Sequence, residues 1–166
     1  MSITIRAWQN TDLDRLVSLI NNRNIIQYMS NQIPHPYTKE DGQLFLSNVV
    51  NQSPTQAFAI LLNSEVVGSI GIFPQNDIYE KNVEIGYWLG EDYWGKGIMT
   101  EAIKQIVEYG FKTFDMARIF ARPFSSNKAS QCVLQKAGFI HEATIKNGVY
   151  KNGIYLDSII YSCHLK

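Results

Sequence analysis

The sequence predicts a mixed α/β (α+β) domain built on a central mixed, mostly antiparallel sheet of about seven strands, with about four helices on its faces. Three observations carry this expectation. Residues 57 to 89 read as three consecutive strand segments, an antiparallel meander. Residues 82 to 137 then alternate strand, helix, strand, helix, which brings a parallel crossover into the same sheet. Asn152-Gly153, set between two long strand-like runs, is a strong short hairpin signal and closes the pattern.

Each element has its own warrant. Ile3 to Trp8 alternates apolar and polar residues, as a half-buried strand does. Thr11 and Asp12 offer N-cap oxygens ahead of Leu13, Leu16, Val17 and Ile20, whose spacing makes a short amphipathic helix. Two prolines in Ile33-Pro-His-Pro-Tyr37 exclude a helix there. Thr38 followed by Asp41 resembles a capping box, opening a second helix through Val50. The meander strands are Ala57–Leu62, Val66–Phe73 and Asn82–Leu89, the first two joined by Asn63-Ser-Glu65. Gly86 within the third suggests a bulge.

From Lys96 to about Phe114 the period turns helical. Ile98, Ala102, Ile103, Ile106, Val107 and Phe114 form one stripe, with Lys104, Glu108 and Lys112 opposite. Arg118–Arg122 is a strand stopped by Pro123. Lys128–Ala137 is a short helix with Gly138 placed to cap its end. The last two strands are Phe139–Lys151 and Ile154–His164.

At 166 residues the chain fits a single domain, 1–166, and can bury roughly 70% of its unfolded surface without a disulfide or metal staple. Lys plus Arg and Asp plus Glu both number 15, so the basic excess of a nucleic-acid binder is missing. The two cysteines and three histidines show no metal-ligand spacing, so no metal is expected. No run approaches the roughly 18 apolar residues of a membrane span, and Met-Ser-Ile-Thr-Ile-Arg lacks a signal-peptide core. A cytoplasmic location, with no membrane and no direct nucleic-acid partner, is the expectation.

Chemistry concentrates in Glu84-Ile-Gly-Tyr-Trp-Leu-Gly-Glu-Asp-Tyr-Trp-Gly-Lys-Gly-Ile-Met-Thr-Glu-Ala102, a strand, a glycine-rich turn and a helix start. The first N–H groups of a helix lack intrahelical partners and carry its partial positive charge. Gly95 and Gly97 remove side chains that would keep a phosphate from that backbone, and Lys96 adds a full charge. Gly90 to Lys96 also fits the spacing of a P-loop, but Gly97 stands where that motif needs Ser or Thr for magnesium.

Trp94-Gly-Lys-Gly97-Ile-Met99 resembles the acyl-CoA pyrophosphate loop of the GNAT superfamily of N-acetyltransferases. Asn127-Lys-Ala-Ser130-Gln-Cys-Val-Leu134-Gln-Lys136-Ala-Gly138-Phe139 is similar to that superfamily's second motif at every specified position. Glu84-Ile-Gly-Tyr-Trp-Leu89 with Trp94-Gly-Lys-Gly and Thr-Glu-Ala102 is similar to the ribosomal-protein N-terminal acetyltransferase branch. Trp94 and Met99 depart from the broad pattern, which has Gln or Arg and Gly or Ala there.

The resemblance implies the GNAT fold, with acetyl-CoA as cosubstrate in a gap between the strands Asn82–Leu89 and Arg118–Arg122. It assigns Tyr87, Trp88, Leu89, Trp94, Gly95, Lys96, Gly97, Met99, Thr100, Asn127, Ser130 and Lys136 to cofactor binding. It makes Glu84, Asn127 and Ser130 the candidate catalytic residues, Glu84 as base for the amine. Glu84 has the alternative of orienting the ammonium or pairing with a basic residue. Asn127 and Ser130 have the alternative of capping their helix. Cys132 is expected to be buried and structural, and a tyrosine is the rival general acid. His35 and Tyr37 lie in a loop that borders the acceptor.

The expected partner is a primary amine attacking directly, most readily a peptide or protein N-terminal α-amine. An α-amine with pKa near 7.8 costs about 1 kcal/mol to deprotonate at pH 7, a lysine-like amine about 4.6 kcal/mol. A polyamine or aminoglycoside acceptor, served by a local acidic patch of Glu84, Glu91 and Asp92, is the alternative, as is a non-catalytic acyl-CoA sensor. Self-association into a homodimer is left open.

Overall fold

A computed structural model describes residues 1–164. Seven strands form one sheet in the order β1-β2-β3-β4-β5-β7-β6. These are β1 Ile3–Ala7, β2 Ala57–Leu62, β3 Glu65–Pro74, β4 Asn82–Leu89, β5 Arg118–Ala121, β6 Ile140–Lys151 and β7 Ile154–His164. All pairings are antiparallel except β4 with β5, the crossover expected from the strand–helix–strand alternation. The helices are α1 Leu13–Ile20, α2 Arg23–Ile26, α3 Lys39–Val49, α4 Ile98–Thr113 and α5 Lys128–Lys136. The sequence expectation of four helices therefore misses α2, whose four residues are too few to display a helical period.

Strand alternation divides the core between the two faces of the sheet. On one face Phe58, Ile60, Val67, Ile70, Ile72, Val83 and Ile85 pack against Ile98, Ala102, Ile103 and Ile106 of α4 and Leu134 of α5. On the other, Ala57, Ala59, Leu61 and Trp88 meet Leu16, Ile20, Ile25, Ile26 and Leu46 of α1 to α3. Cover on both sides explains why β2 is a continuous apolar run, Ala-Phe-Ala-Ile-Leu-Leu, rather than an alternating one.

The local signals mostly act as read. Thr38 Oγ1 accepts from Asp41 N at 3.2 Å and Asp41 Oδ2 accepts from Thr38 N at 2.8 Å, a full capping box. Asn152 and Gly153 both adopt positive φ at the β6–β7 turn. Asp12 is the exception. It precedes α1 but makes no side-chain cap bond; its carboxylate instead accepts from Arg6 at 2.7 and 2.9 Å and from Gln9 N at 2.9 Å. Two bonds from a guanidinium outcompete a single backbone cap.

Gly86 marks no bulge. The β3–β4 register runs without a shift through Gly71↔Gly86 to Phe73↔Glu84. The gap opens for a different reason: β4 and β5 pair only at Asn82, Val83 and Glu84, after which they diverge. The β4 edge from Ile85 to Leu89 is left without a strand on that side.

Candidate active site

The divergence of β4 from β5 opens into a cavity of about 1390 Å³. It runs from the turn before α4, along β4, to the segment between α2 and α3. Every residue that the sequence assigns to catalysis or cofactor binding lines it. Motifs more than 40 residues apart in sequence, at Glu84 and at Asn127 to Ser130, are thus brought to one site because β4 and the β5–α5 connection flank the same gap.

One end is the glycine-rich turn. Gly95 and Gly97 sit at φ +73° and +76°, the left-handed region that side chains disfavour. A Cβ built on either would meet nothing within 4 Å, so the backbone there is open to an approaching group. Gly97 occupies the N-cap position of α4 and supplies no side-chain cap, leaving the first N–H groups of a 16-residue helix for an anion. Lys96, Lys128 and Lys136 line this part of the cavity and are exposed. Lys96 Nζ donates to the Asp92 carbonyl at 2.7 Å and lies 5.7 Å from the centre of the Tyr93 ring. A pyrophosphate of the CoA type fits this cradle of bare backbone and scattered cations.

The side chains of β4 sort by face. Leu89 and Met99 lie in the α4-side core, while Trp88 is buried in the α1–α3 cluster. For these three, the side chains build the cavity's walls from beneath. Trp94 Nε1 donates to the Leu89 carbonyl at 2.8 Å, engaging the last carbonyl of the β4 edge.

In the middle, Tyr87 Oη and Ser130 Oγ are hydrogen-bonded at 2.7 Å across the gap from β4 to α5. Burial pushes the Tyr87 phenol well above its ordinary value, offset only in part by the Ser130 bond. It stays neutral and able to donate throughout the physiological range. Asn127 Oδ1 accepts from Ser130 N at 3.1 Å, capping α5. The sequence leaves nine tyrosines as rivals for general acid; Tyr87 is the one bonded to Ser130 at the gap.

Glu84 is held. Its Oε1 accepts from Arg122 Nε at 2.8 Å and its Oε2 from Arg122 Nη2 at 2.8 Å, a bidentate pair. That hydrogen bond is the main cause of the raised pKa of Arg122, against the opposing effect of burial. The pair spans β4 and the end of β5 where the strands begin to part. Arg122 was legible only as the residue before a strand-ending proline, and nothing in sequence ties it to Glu84.

Beyond Glu84 the cavity continues over Gly71, Phe73 and Gly86 to Met29, Ile33, Phe45 and Val49. Tyr37 lines it and is buried, its phenol pushed up to about 12 by burial and by the nearby Asp41. His35 is exposed and lies outside it. Glu91 and Asp92 line a separate cavity of about 200 Å³, where Glu91 accepts from Asn22 and Asn24. They form no common acidic patch with Glu84. Cys132 is exposed rather than buried, because α5 turns Leu134 to the core and leaves Cys132 on its outer side.

Among the described residues no group of three or more His, Cys, Asp or Glu side chains is gathered as a metal site would need, and no helix is long and apolar enough to cross a membrane.

Residues 2–140 match the family model described as acetyltransferase (GNAT) domain. The chain is 30% identical over 105 residues to the ribosomal-protein-serine acetyltransferase of Escherichia coli, covering 63% of this chain and 58% of that one. It is 23% identical over 158 residues to the spermidine N(1)-acetyltransferase of the same organism, covering 95% and 83%. Alignments to two Bacillus subtilis relatives span a little over half of their lengths, 56% and 55%. The solved structure of the microcin C7 self immunity acetyltransferase MccE in complex with acetyl-CoA and AMP superposes with a TM-score of 0.84 at 27% identity, covering 98% of this chain and 92% of that one.

Proposed function

The chain belongs to the GNAT acetyltransferase domain family, and from that premise we propose that it transfers the acetyl group of acetyl-CoA to a primary amine, specifically the α-amine of a peptide or protein. The observation that carries this reading is the single cavity that joins the open glycine turn before α4 to an acceptor arm whose two carboxylates, Glu84 and Asp41, are hydrogen-bonded within the protein.

In this reading the amides of Gly97 and the first turn of α4 bind the pyrophosphate, with Lys96 and Lys136 adding charge nearby. The unpaired edge of β4 at Tyr87 to Leu89 lies along the pantetheine, with Asn127 beside it. An N–H of that edge stabilises the thioester oxygen as negative charge develops there. The neutral amine attacks the thioester carbon, the C–S bond breaks, CoA leaves as its thiolate, and the proton left on the new amide nitrogen passes to solvent. Ser130, oriented by Tyr87, donates a hydrogen bond to the departing sulfur. A thiol with pKa near 8.5 is a tolerable leaving group near neutral pH, so a hydrogen bond suffices and the serine need not give up its proton.

Glu84 orients the incoming ammonium rather than removing its proton. Arg122 takes one lone pair on each oxygen and compensates much of the charge, which weakens the carboxylate as a base and leaves the second lone pairs to accept from an ammonium. The chemistry then favours an acceptor that needs little help. An α-amine loses its proton at pH 7 for about 1 kcal/mol, a lysine or polyamine amine for about 4.6 kcal/mol.

The acceptor arm argues the same way. A polyamine carries further cations that need carboxylates, yet the two acids of this cavity are both engaged, Glu84 with Arg122 and Asp41 in the cap of α3. The test is thiol release from acetyl-CoA with N-terminally free peptides, spermidine and an aminoglycoside as acceptors. Peptide-dependent release supports the reading. Release with spermidine alone replaces the acceptor class, and tight CoA binding without transfer to any amine replaces the enzyme by a sensor.

A further inference from the structure

We infer that the acceptor arm contains an aromatic subsite, centred on Phe73, which takes an apolar side chain on the residue that bears the reacting amine. This rests on the α-amine reading above and narrows it to a class of N-terminus.

Phe73 is an anomaly in its strand. Residues Val66 to Ile72 of β3 are buried, whereas Phe73 leaves 47% of its surface exposed, within the cavity. Its ring has a built seat. A Cβ at Gly71 would stand 2.5 Å from Phe73 Cζ, and one at Gly86 would stand 3.4 Å from Cε2. The ring therefore lies over Gly71, where a Cβ would displace it, and reaches van der Waals contact with the Gly86 position on the adjacent strand. The β3–β4 register pairs Phe73 with Glu84 and Gly71 with Gly86, so ring, carboxylate and both glycines share one face.

That juxtaposition sets the chemistry. Directly opposite residues of an antiparallel pair have Cβ atoms about 5 Å apart. An ammonium aligned by Glu84 therefore places its own α-carbon, and the side chain on it, within reach of the Phe73 ring. The same cavity is lined by the apolar, partly exposed Met29, Ile33, Phe45 and Val49, with uncharged polar residues such as Gln32 and Asn48 among them. A basic side chain there would have to share Glu84 with Arg122 and the ammonium, or Asp41 with the cap of α3. An acidic one finds Arg122 already committed to Glu84. An aliphatic or aromatic one buries area against the ring.

The experiment compares kcat/KM for peptides that differ only in their first residue: Phe, Leu, Ser and Asp. It uses the wild-type protein, Phe73→Ala and Phe73→Leu, with acetyl-CoA affinity by calorimetry as the control for folding. The wild type should favour the Phe and Leu peptides over the Ser peptide by about ten-fold or more, the scale of discrimination in an apolar pocket. Phe73→Ala should move that ratio toward unity at unchanged acetyl-CoA affinity. Phe73→Leu, which keeps the glycines covered, should reduce the preference for Phe over Leu and reads the same question if the alanine variant does not fold. Peptides acetylated with equal efficiency, or a preference that survives both substitutions, overturns the subsite and leaves the proposed function standing. No acetylation of any peptide at full acetyl-CoA binding overturns both.

Discussion

Replacing Glu84 with glutamine separates two mechanisms by magnitude. The side chain keeps its shape and loses its charge, and one side of a bidentate pair with Arg122 is weakened. Side-chain exposures of 53% for Arg122 and 23% for Glu84 place the pair near solvent, where such bridges contribute no more than about 1 kcal/mol, so the fold should survive. If Glu84 only aligns the ammonium, the proton is lost to solvent at the amine's own cost, about 1 kcal/mol for an α-amine at pH 7. The expected loss in kcat/KM is then about ten-fold or less. Wild type and variant should both rise with pH and level off near pH 8. The assay is initial-rate thiol release with one peptide from pH 6 to 10, with acetyl-CoA affinity measured in parallel. A fall of roughly 10²–10⁴-fold, the span of general-base loss, would refute the aligning role. So would a variant that alone keeps climbing with pH while the wild type is flat. Either result would restore Glu84 as the base despite its partner.

Further outcomes follow from the same geometry. Gly97→Glu places a charged side chain at a φ of +76° in the open mouth before α4, and should abolish acetyl-CoA binding in calorimetry while circular dichroism remains that of the folded chain. Unchanged affinity in a folded variant would move the pyrophosphate elsewhere. Tyr87→Phe removes the partner of Ser130 and should lower kcat by roughly ten-fold with little change in acetyl-CoA affinity. The shape of the pH–rate curve between 6 and 9 should not change, because burial keeps the phenol neutral across that range; loss of a limb of the curve would instead make Tyr87 a titrating acid. Asp12→Asn tests the clasp between β1 and α1. Burial, the largest single influence, pushes that carboxyl up, but the Arg6 and Gln9 hydrogen bonds and the Arg6 charge together hold it below its ordinary value. A depressed carboxyl stabilises fully above its unfolded pKa of about 3.9 and loses that contribution as pH falls through the folded value. Thermal melts should show the variant less stable by about 2 kcal/mol at pH 7, with the difference closing as the pH falls below that unfolded value. A difference independent of pH would assign the effect to packing.

The sequence by itself determined most of the architecture and one half of the candidate site. Strand and helix periods, the Thr38 box, the Asn127 cap and the Asn152-Gly153 turn are local, since each depends on residues within one turn or one strand. The glycine turn before α4 was legible for the same reason: the positive φ of Gly95 and Gly97 and the open backbone beside them are fixed by a few adjacent residues. Where the sequence misled, the deciding interaction was not local. Asp12 abandoned its cap for Arg6 because a bidentate ion pair brought within reach by the fold supplies two bonds between full charges where the cap offers one backbone amide. Gly86 marks no bulge: it stays in register opposite Gly71, and the Phe73 ring lies over the space its missing side chain leaves. Only the tertiary structure decided the acceptor half. The pairing of Glu84 with Arg122, the choice of Tyr87 from nine tyrosines, and the seat beneath Phe73 all depend on strand register and on where β4 parts from β5. Register is a collective outcome of packing on both faces of the sheet, and a contact between residues 38 positions apart leaves no period or spacing in the sequence to announce it.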